Sequence, residues 1–407
     1  MRLLFIASRV PLPAESGGQI RTLNLVRQAA KRHKVDFVCF SFSAEDDVYA
    51  SALRECVSTV TLVPARDRNI FQKIGAVIWA SAPYTVTKYW SAEMAAVISR
   101  LVRENAYDVV HIEQIHMAHY RAACDGHPCL VDQQNVEHQI LERCANVEKS
   151  ALRRRLFLAQ ARKMRSFEAT HVARFSACSA VSDEDGDELM RLVRDGKAVY
   201  TLPNGVDTDF FQLQACQASR SAEEDAVVFT GSMDWRPNAD AASYFCKDVL
   251  PHIWRRKPHT RFYIVGKGPV VRSKEFADGR IIQTGRVDDV REFSARSKVF
   301  VVPLRIGGGT RLKILEAMSM ERAVVSTSIG AEGIDYTDDV NIVLADQADL
   351  FAEKVVSLFE DDGRRRALGK AGRQLVVEKY DWNVIGQHLN RIYEDLLRPK
   401  AVHPVAV

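Results

Sequence analysis

The apolar positions of this chain come in short blocks separated by helical spacings. Residues 3–7 form one continuous apolar run. A loop holding Pro11, Pro13, Gly17 and Gly18 follows, and then Ile20, Leu23, Val26 and Ala30 recur at near-helical intervals. This strand–loop–helix opening is succeeded by apolar runs at 35–42, 58–63, 107–112, 129–131, 175–179 and 199–202, with helical stretches between most of them. Short continuous strands alternating with helices predict a parallel sheet covered on both faces.

The pattern breaks at 212–225 (QLQACQASRSAEED), which is polar, rich in small residues and without periodicity, and so reads as a linker. Beyond it the opening repeats as a strand at 226–230, a loop at 231–238 and a helix at 239–250. Further strands are predicted at 262–265, 281–284, 299–302 and 323–326. The chain has 407 residues, enough for two domains of about 200 that each bury a core. The expected division is a first α/β domain at 1–211, the linker at 212–225, a second at 226–383, and a helix with a tail at 384–407. That last helix is free to pack on either domain, and crossing back to the first is one placement. Tandem α/β units predict a cleft at their junction, where ligands meet the carboxyl ends of the strands.

Composition narrows the function. Hydrophobic residues are 47% and charged residues 27%, the balance of a globular protein, and the net charge is only +4. No basic face is concentrated enough for nucleic acid; the slight positive balance suits an anionic substrate or light contact with an anionic membrane. The eight cysteines are scattered without CxxC spacing, and His116 and His119 fit no metal-ligand pattern, so no metal site is expected. The N-terminal apolar run ends after five residues, too short for a signal-peptide core, and no run approaches the ~20 of a membrane span. The expected location is the cytoplasm, with the inner membrane surface within reach. The stretch 149–165 carries seven Lys and Arg; it reads either as a solvated helix face or as a membrane-surface contact.

The most informative chemistry lies at 303–318. Gly307, Gly308 and Gly309 follow a predicted strand and lead into a helix expected to start near Thr310. Glycines let a backbone approach a ligand and aim N–H groups at it, and a helix start adds positive potential. Arg311 and Lys313 add charge, and Lys313 and Glu316, three apart on one helix, can converge. The stretch reads as a diphosphate-binding loop with a carboxylate one turn deeper for ribose hydroxyls; the competing reading is a glycine turn capping a surface helix. It is neither a P-loop nor a GxGxxG fingerprint.

With these residues in hand, the sequence resembles glycosyltransferase family 4, retaining enzymes of the GT-B fold, over nearly its whole length. Pro11…Gly17-Gly18 resembles the glycine loop that faces the donor. Leu202-Pro203-Asn204-Gly205-Val206-Asp207 is similar to the Pro-Asn-Gly-Val-Asp motif at the exit from the first domain. Phe229-Thr230-Gly231-Ser232, with Pro237-Asn238, resembles the opening of the donor domain. Tyr263-Ile264-Val265-Gly266-Lys267-Gly268-Pro269 is similar to its Gly-x-Gly-Pro loop. Thr284-Gly285-Arg286-Val287-Asp288-Asp289 resembles the segment that meets the nucleotide base, and Glu316-Ala317-Met318 the ribose-binding helix. The resemblance implies two Rossmann-like domains facing across a cleft, a nucleotide diphosphate sugar as donor without a further cofactor, a glycan or lipid-linked acceptor, and anomeric retention in cell-surface polysaccharide or glycolipid synthesis. One position departs. Where the family commonly has a first glutamate eight residues before the second, this chain has Gly308.

The expected donor-binding residues are therefore Gly17, Gly18, Gly231, Arg236, Gly266, Val287, Gly308, Gly309, Thr310 and Glu316. Lys313 and Arg311 are expected to stabilise the leaving diphosphate in place of a metal. In the first domain, Asp132-Gln133-Gln134-Asn135-Val136-Glu137 resembles an Asp-x-His-Asn-x-Glu segment, with Gln134 where His is common. Asn135 and Glu137 either touch sugar or acceptor or cap the following helix. Glu113 is a further catalytic candidate, while His111 reads as a structural histidine. Arg236 is open between a phosphate contact and a solvated loop residue. Two other classes remain: an epimerase or phosphorylase of the same fold, and a binding protein that has lost catalysis.

Overall fold

The structure is a computed structural model and describes residues 1–65, 80, 82–193, 198–213, 223–268, 274–307 and 310–398, with Glu275 described in its backbone alone. The chain divides into two compact units: Met1–Leu202 with Ile385–Val407, and Pro203–Val384.

Among the described residues, the first unit holds a seven-stranded parallel sheet in the order β3-β2-β1-β4-β5-β6-β7. The strands are β1 Arg2–Ala7, β2 Lys34–Ser41, β3 Thr59–Pro64, β4 Val109–Glu113, β5 Cys129–Asp132, β6 Ala177–Ala180 and β7 Val199–Thr201. Leu3, Leu4, Phe5 and Ile6 are all fully buried because helices cover both faces of the sheet. Each such side chain is worth roughly 1.5–3 kcal/mol of burial. The sheet order reverses between β1 and β4, so the loops after these two strands diverge and leave room above their carboxyl ends.

The second unit holds a six-stranded parallel sheet, order β10-β9-β8-β11-β12-β13, among its described residues. Its strands are β8 Glu224–Thr230, β9 Arg261–Val265, β10 Ile281–Gly285, β11 Ser297–Val302, β12 Ala323–Ser326 and β13 Val343–Leu344. Its core, centred on Phe229, Phe245, Phe262 and Phe300, is separate from that of the first unit.

Several boundaries differ from the sequence reading for identifiable reasons. The division falls after Leu202, because residues 203–211 already pack with the second unit: Val206 donates its N–H to the Tyr380 carbonyl at 2.8 Å, and the Phe211 carbonyl accepts from Ser319 at 2.8 Å. β8 begins at Glu224, within the expected linker. Glu224 is tolerated there because Arg296 and Tyr263 bond its carboxylate at 2.6 and 2.9 Å; residues 214–222 of that linker lie outside the described residues. The helix expected at 239–250 starts earlier, at Arg236, where Pro237 suits a first turn, and is followed by a wide turn at Phe245–Val249 and a second helix, Leu250–Arg256. The final helix, Trp382–Leu397, joins the first unit from Ile385 onward, with Asn390 Oδ1 2.7 Å from His33 Nε2.

Candidate functional site

In the second unit, the loops leaving β8 and β9 cross closely above the sheet. Gly231 follows β8 with φ 149° and Gly266 follows β9 with φ 143°, both outside the comfortable range of other residues. A Cβ on Gly266 would collide with the Gly231 carbonyl, and one on Gly231 would lie 2.8 Å from Lys313 Nζ. The glycines therefore make the room in which the lysine ends. Lys313 comes from the helix Leu312–Ser319, which follows β11. Its ammonium donates to Asn238 Oδ1 at 2.9 Å and lies 4.0 Å from the Phe229 ring centre. Asn238 is held in turn by its own amide, which donates to the Ser232 carbonyl at 2.9 Å.

Burial controls the charge of this pair. It pulls the Lys313 ammonium down to about 7, helped by the nearby Arg311 charge and opposed by Glu316. Burial likewise pushes the Glu316 carboxyl up to about 7, against the pull of Lys313. Two groups that ionise poorly alone but well with a partner suit a site that receives a charged ligand.

Of the other expected donor residues of this unit, Arg236 follows β8, Val287 follows β10 and Thr310 follows β11. The helix begins at Leu312, two residues past Thr310, with Arg311 in extended backbone at its N-cap. Thr310 and Arg311 are thus loop residues. Thr310 donates to the Gly333 carbonyl at 3.2 Å, and Arg311 folds over Gly307 with its guanidinium 3.4 Å from the Ile329 carbonyl. Val287 packs against the core of the unit, past Gly285 at the end of β10. Arg236 is exposed at the start of the helix that carries Asn238. Gly308 and Gly309 lie outside the described residues.

The first unit carries a second polar cluster, around a cavity of about 130 Å³ lined by Ser8, Arg9, Gly18, Thr22, Glu113 and Gln114 among others. Gly18 lies in the first turn of the helix Gly17–Ala30, whose N-cap is Ser16, and Gly17 beside it is exposed. A Cβ on Gly18 would come within 2.9 Å of Gln134 Oε1 and 3.3 Å of Gln114 Nε2. Gln114 has φ 68°, left-handed and uncommon for its type, which turns the chain sharply after β4. Glu113, the last residue of β4, accepts from Gln134 Nε2 at 3.3 Å and lies 3.2 Å from the Thr22 hydroxyl, all around Oε2.

Behind the cavity, Arg21 and Asp132 are both fully buried and paired through two bonds of 2.8 and 2.6 Å; Arg21 also donates to the Leu202 carbonyl at 2.8 Å, and Ser179 to Asp132 at 2.6 Å. Burial alone would raise the Asp132 carboxyl, but the guanidinium outweighs it and holds the group below its ordinary range. His111, Glu113 and Asp132 bring ligand atoms within 4.8 Å of one another. The Arg21 charge, bonded to both Asp132 oxygens, opposes a divalent cation there, so the three read as a polar network.

Asn135 and Glu137 do not cap the helix Glu137–Val147. Its first N–H groups, of Glu137 and His138, instead point to the Glu168 carboxylate at 2.9 and 3.4 Å, which also meets His138 Nδ1 at 2.7 Å. Asn135 donates to Glu137 Oε1 at 3.3 Å, and Glu137 lies 3.8 Å from His116 Nε2. The sequence reading missed Arg21, Asn238, Glu168 and Tyr393. Asn238 was within reach, since Pro237-Asn238 had been noted; the other three gain their meaning from partners 30 to 282 positions away.

Two family models match successive parts of the chain. Residues 16–210 match the family described as Glycosyltransferase Family 4, and residues 224–361 the one described as Glycosyl transferases group 1. Among curated relatives, the phosphatidyl-myo-inositol mannosyltransferase of Mycobacterium tuberculosis (strain CDC 1551 / Oshkosh) is 29% identical over 49% of this chain and 54% of its own length. A GDP-mannose-dependent monoacylated alpha-(1-6)-phosphatidylinositol monomannoside mannosyltransferase of Corynebacterium glutamicum is 26% identical over 47% and 55%. The chain thus spans about half the length of the curated relatives it matches. Among solved structures, sucrose-phosphate synthase from Thermosynechococcus elongatus superposes with a TM-score of 0.72 at 16% identity, covering 97% of this chain and 99% of that one. Anabaena HepE in complex with UDP and glucose gives 0.69 at 13%, covering 97% and 100%.

Proposed function

This chain joins a Glycosyltransferase Family 4 domain to a group 1 glycosyl transferase domain in the GT-B fold, and on that premise we propose that it transfers a hexose from a nucleotide diphosphate sugar to a hydroxyl of a glycan or lipid-linked acceptor, with anomeric retention. The observation that carries the reading is Lys313, held 2.9 Å from Asn238 under the Gly231 and Gly266 loops, with Glu316 one turn further along the same helix. Negative charge grows on the leaving diphosphate as the glycosidic bond breaks. The ammonium, the loop N–H groups and the positive helix start oppose that charge where it develops. Glu316 would accept hydrogen bonds from ribose hydroxyls. The names of the relatives support a lipid-linked acceptor, and the UDP and glucose complex of HepE supports a nucleotide-sugar donor.

A panel of sugar nucleotides, including GDP-mannose and UDP-glucose, tests the proposal by thermal shift and then by nucleotide release. A ligand that binds only the folded protein raises its melting temperature by mass action. No stabilisation by any of them, and no release, would remove the reading. With the donor identified, Glu316→Gln is expected to weaken binding of the nucleotide diphosphate about tenfold, since hydrogen bonds to charged groups are worth roughly 1.5–3 kcal/mol. Calorimetric titration measures this, and unchanged affinity in a folded variant would take Glu316 out of the site.

A lipid-linked acceptor requires contact with a membrane surface. Among the described residues no helix is long and apolar enough to cross a bilayer. The paired helices Glu137–Val147 and Ala151–Val172 instead expose Val147, Leu152 and Leu156 at their connected ends, Leu152 by 79%, beside the exposed Lys149, Arg153, Arg154 and Arg155. Apolar side chains among cations suit an anionic lipid surface. Each basic residue near such a surface is worth about 1 kcal/mol, so Arg154→Ser should weaken sedimentation with phosphatidylserine-rich vesicles about fivefold. Equal binding to pure phosphatidylcholine vesicles would remove the electrostatic part of this contact.

A further inference from the structure

Three buried side chains of the first unit stand in line behind the cavity: Tyr393 on the returning C-terminal helix, His111 in β4, and Glu113 two residues on. The Tyr393 hydroxyl is 2.8 Å from His111 Nδ1, and His111 Nε2 is 3.4 Å from Glu113 Oε1. The imidazole is wholly buried and stacked on Phe5, with ring centres 4.3 Å apart and planes 12° from parallel. It has little room to tilt, so Nδ1 stays toward Tyr393 and Nε2 toward Glu113.

We infer that Tyr393 is a positioning residue: by donating its O–H to His111 Nδ1 it keeps the imidazole proton on Nε2, facing Glu113, and so fixes the Glu113 carboxylate toward the cavity beside Gly18, where it accepts a hydrogen bond from a hydroxyl of the sugar or polyol substrate. A carboxylate oxygen only accepts, so the nitrogen facing it has to be the N–H. Nδ1 is then an acceptor and needs a donor. Burial keeps the phenol far above its ordinary range, so Tyr393 remains an O–H donor at any working pH. The other carboxylate oxygen, Oε2, meets Gln134 and Thr22. With Oε1 against the imidazole and Oε2 between these two, the carboxylate plane has one orientation. Neither His111 Nε2 nor Glu113 Oε1 has a geometrically complete hydrogen bond among the described residues, although both are buried. A slight tightening when the cavity fills would close that contact, as apo sites often do.

The inference rests on the proposed transfer reaction for its kinetic consequence, but not for its structural one. Nitrogen-15 NMR of histidine-labelled protein reads the tautomer directly. The expected result is Nε2–H at His111 in the wild type and a shift toward Nδ1–H in Tyr393→Phe. In nucleotide-release assays with the donor found by the panel above and phosphatidylinositol vesicles as the acceptor probe, Tyr393→Phe should lower kcat about tenfold, the range of one hydrogen bond to a charged group, with the donor KM unchanged. His111→Gln, whose amide can donate from near the Nε2 position, should retain most of the turnover. His111→Asn, whose amide sits nearer Nδ1, should fall with Tyr393→Phe. A merely structural role would lower both histidine variants alike and would leave the tautomer unmoved. Nδ1–H in the wild type, or wild-type turnover in a folded Tyr393→Phe, overturns the inference. Absence of nucleotide release from every donor would instead fail the proposed function, with the NMR result still deciding the orientation of His111.

Discussion

Lys313→Met is expected to lower turnover by about a hundredfold to a thousandfold, the range seen when one preorganised electrostatic group is removed from a transition state, and at the same time to make the ligand-free protein more stable in mild acid. The first effect follows from the placement of the ammonium. A charge that opposes growing diphosphate charge matters more in the transition state than in the ground state, so turnover should fall further than donor affinity. The second follows from burial. The folded protein holds Lys313 near 7, against an ordinary value of 10.5. Between these values the unfolded chain binds more protons, so this group's contribution to stability rises with pH across the window, and its cost is fully present below about 7. Glu316 works in the opposite direction. Its folded value of about 7 lies above the ordinary 4.5, so in mild acid it is neutral and does not miss a cation. Thermal unfolding at pH 6 should therefore show Lys313→Met above the wild type, and at pH 9, where the wild-type lysine is already largely neutral, the gain should be smaller. Initial rates of nucleotide release with and without EDTA complete the test. Normal turnover in the variant would leave the diphosphate assignment without its main residue. Wild-type activity abolished by EDTA and restored by magnesium or manganese would replace the metal-free reading.

Asp132→Ala is expected to cost about 3–5 kcal/mol of stability, because it removes the carboxylate bonded to a buried guanidinium and leaves that charge only the weaker pull of Glu113. Arg21 and Asp132 are fully buried, and their two bonds of 2.6 and 2.8 Å sit among the Leu202 carbonyl and the Ser179 hydroxyl, neither of which can neutralise a charge. For a unit of this size each kcal/mol is worth about 2–4 °C, so the melting temperature should drop by roughly 6–20 °C. The double variant Arg21→Met, Asp132→Leu replaces the pair by apolar groups of similar volume and should recover much of the loss. If the single variant melts with the wild type, the pair is not carrying a desolvated charge and its burial has been misjudged. If the double variant is no better than the single one, the cost lies in packing rather than in the orphaned arginine.

The strands were legible because each is a run of buried apolar residues whose identity does not depend on its neighbours. β1, β2, β9 and β12 lie within a residue or two of where the sequence puts them. β13 was not, since two residues carry no periodicity and Val343–Leu344 is a strand only by pairing with β12. On the helix after β11, the three-residue step from Lys313 to Glu316 places both on one side from sequence alone. The start of that helix, expected near Thr310, falls two residues later at Leu312, since the extended backbone of Arg311 is set by what surrounds it. The cluster in the first unit was the least legible. Arg21 sits in an ordinary helical pattern, where an arginine reads as solvent-facing, and only the fold brings Asp132, 111 positions later, against it. Glu168 caps a helix that begins 31 residues earlier, so local capping rules had nothing to act on. Asn135 and Glu137 were the local candidates for that task and were displaced by a carboxylate from a neighbouring helix.

The chain leaves the first unit at Leu202 and re-enters it at Ile385, so the second unit is an insertion within the first. During synthesis this reverses the order of completion. Residues 203–384 emerge as one uninterrupted stretch with a core of their own and can close as soon as they clear the ribosome. The first unit, although translated earlier, stays open along the side that the last helix will cover, with His33 and His111 waiting for Asn390 and Tyr393. A ribosome stalled before Ile385 would therefore carry a finished second unit and an unfinished first one, and the polar line behind the cavity would wait for the returning helix.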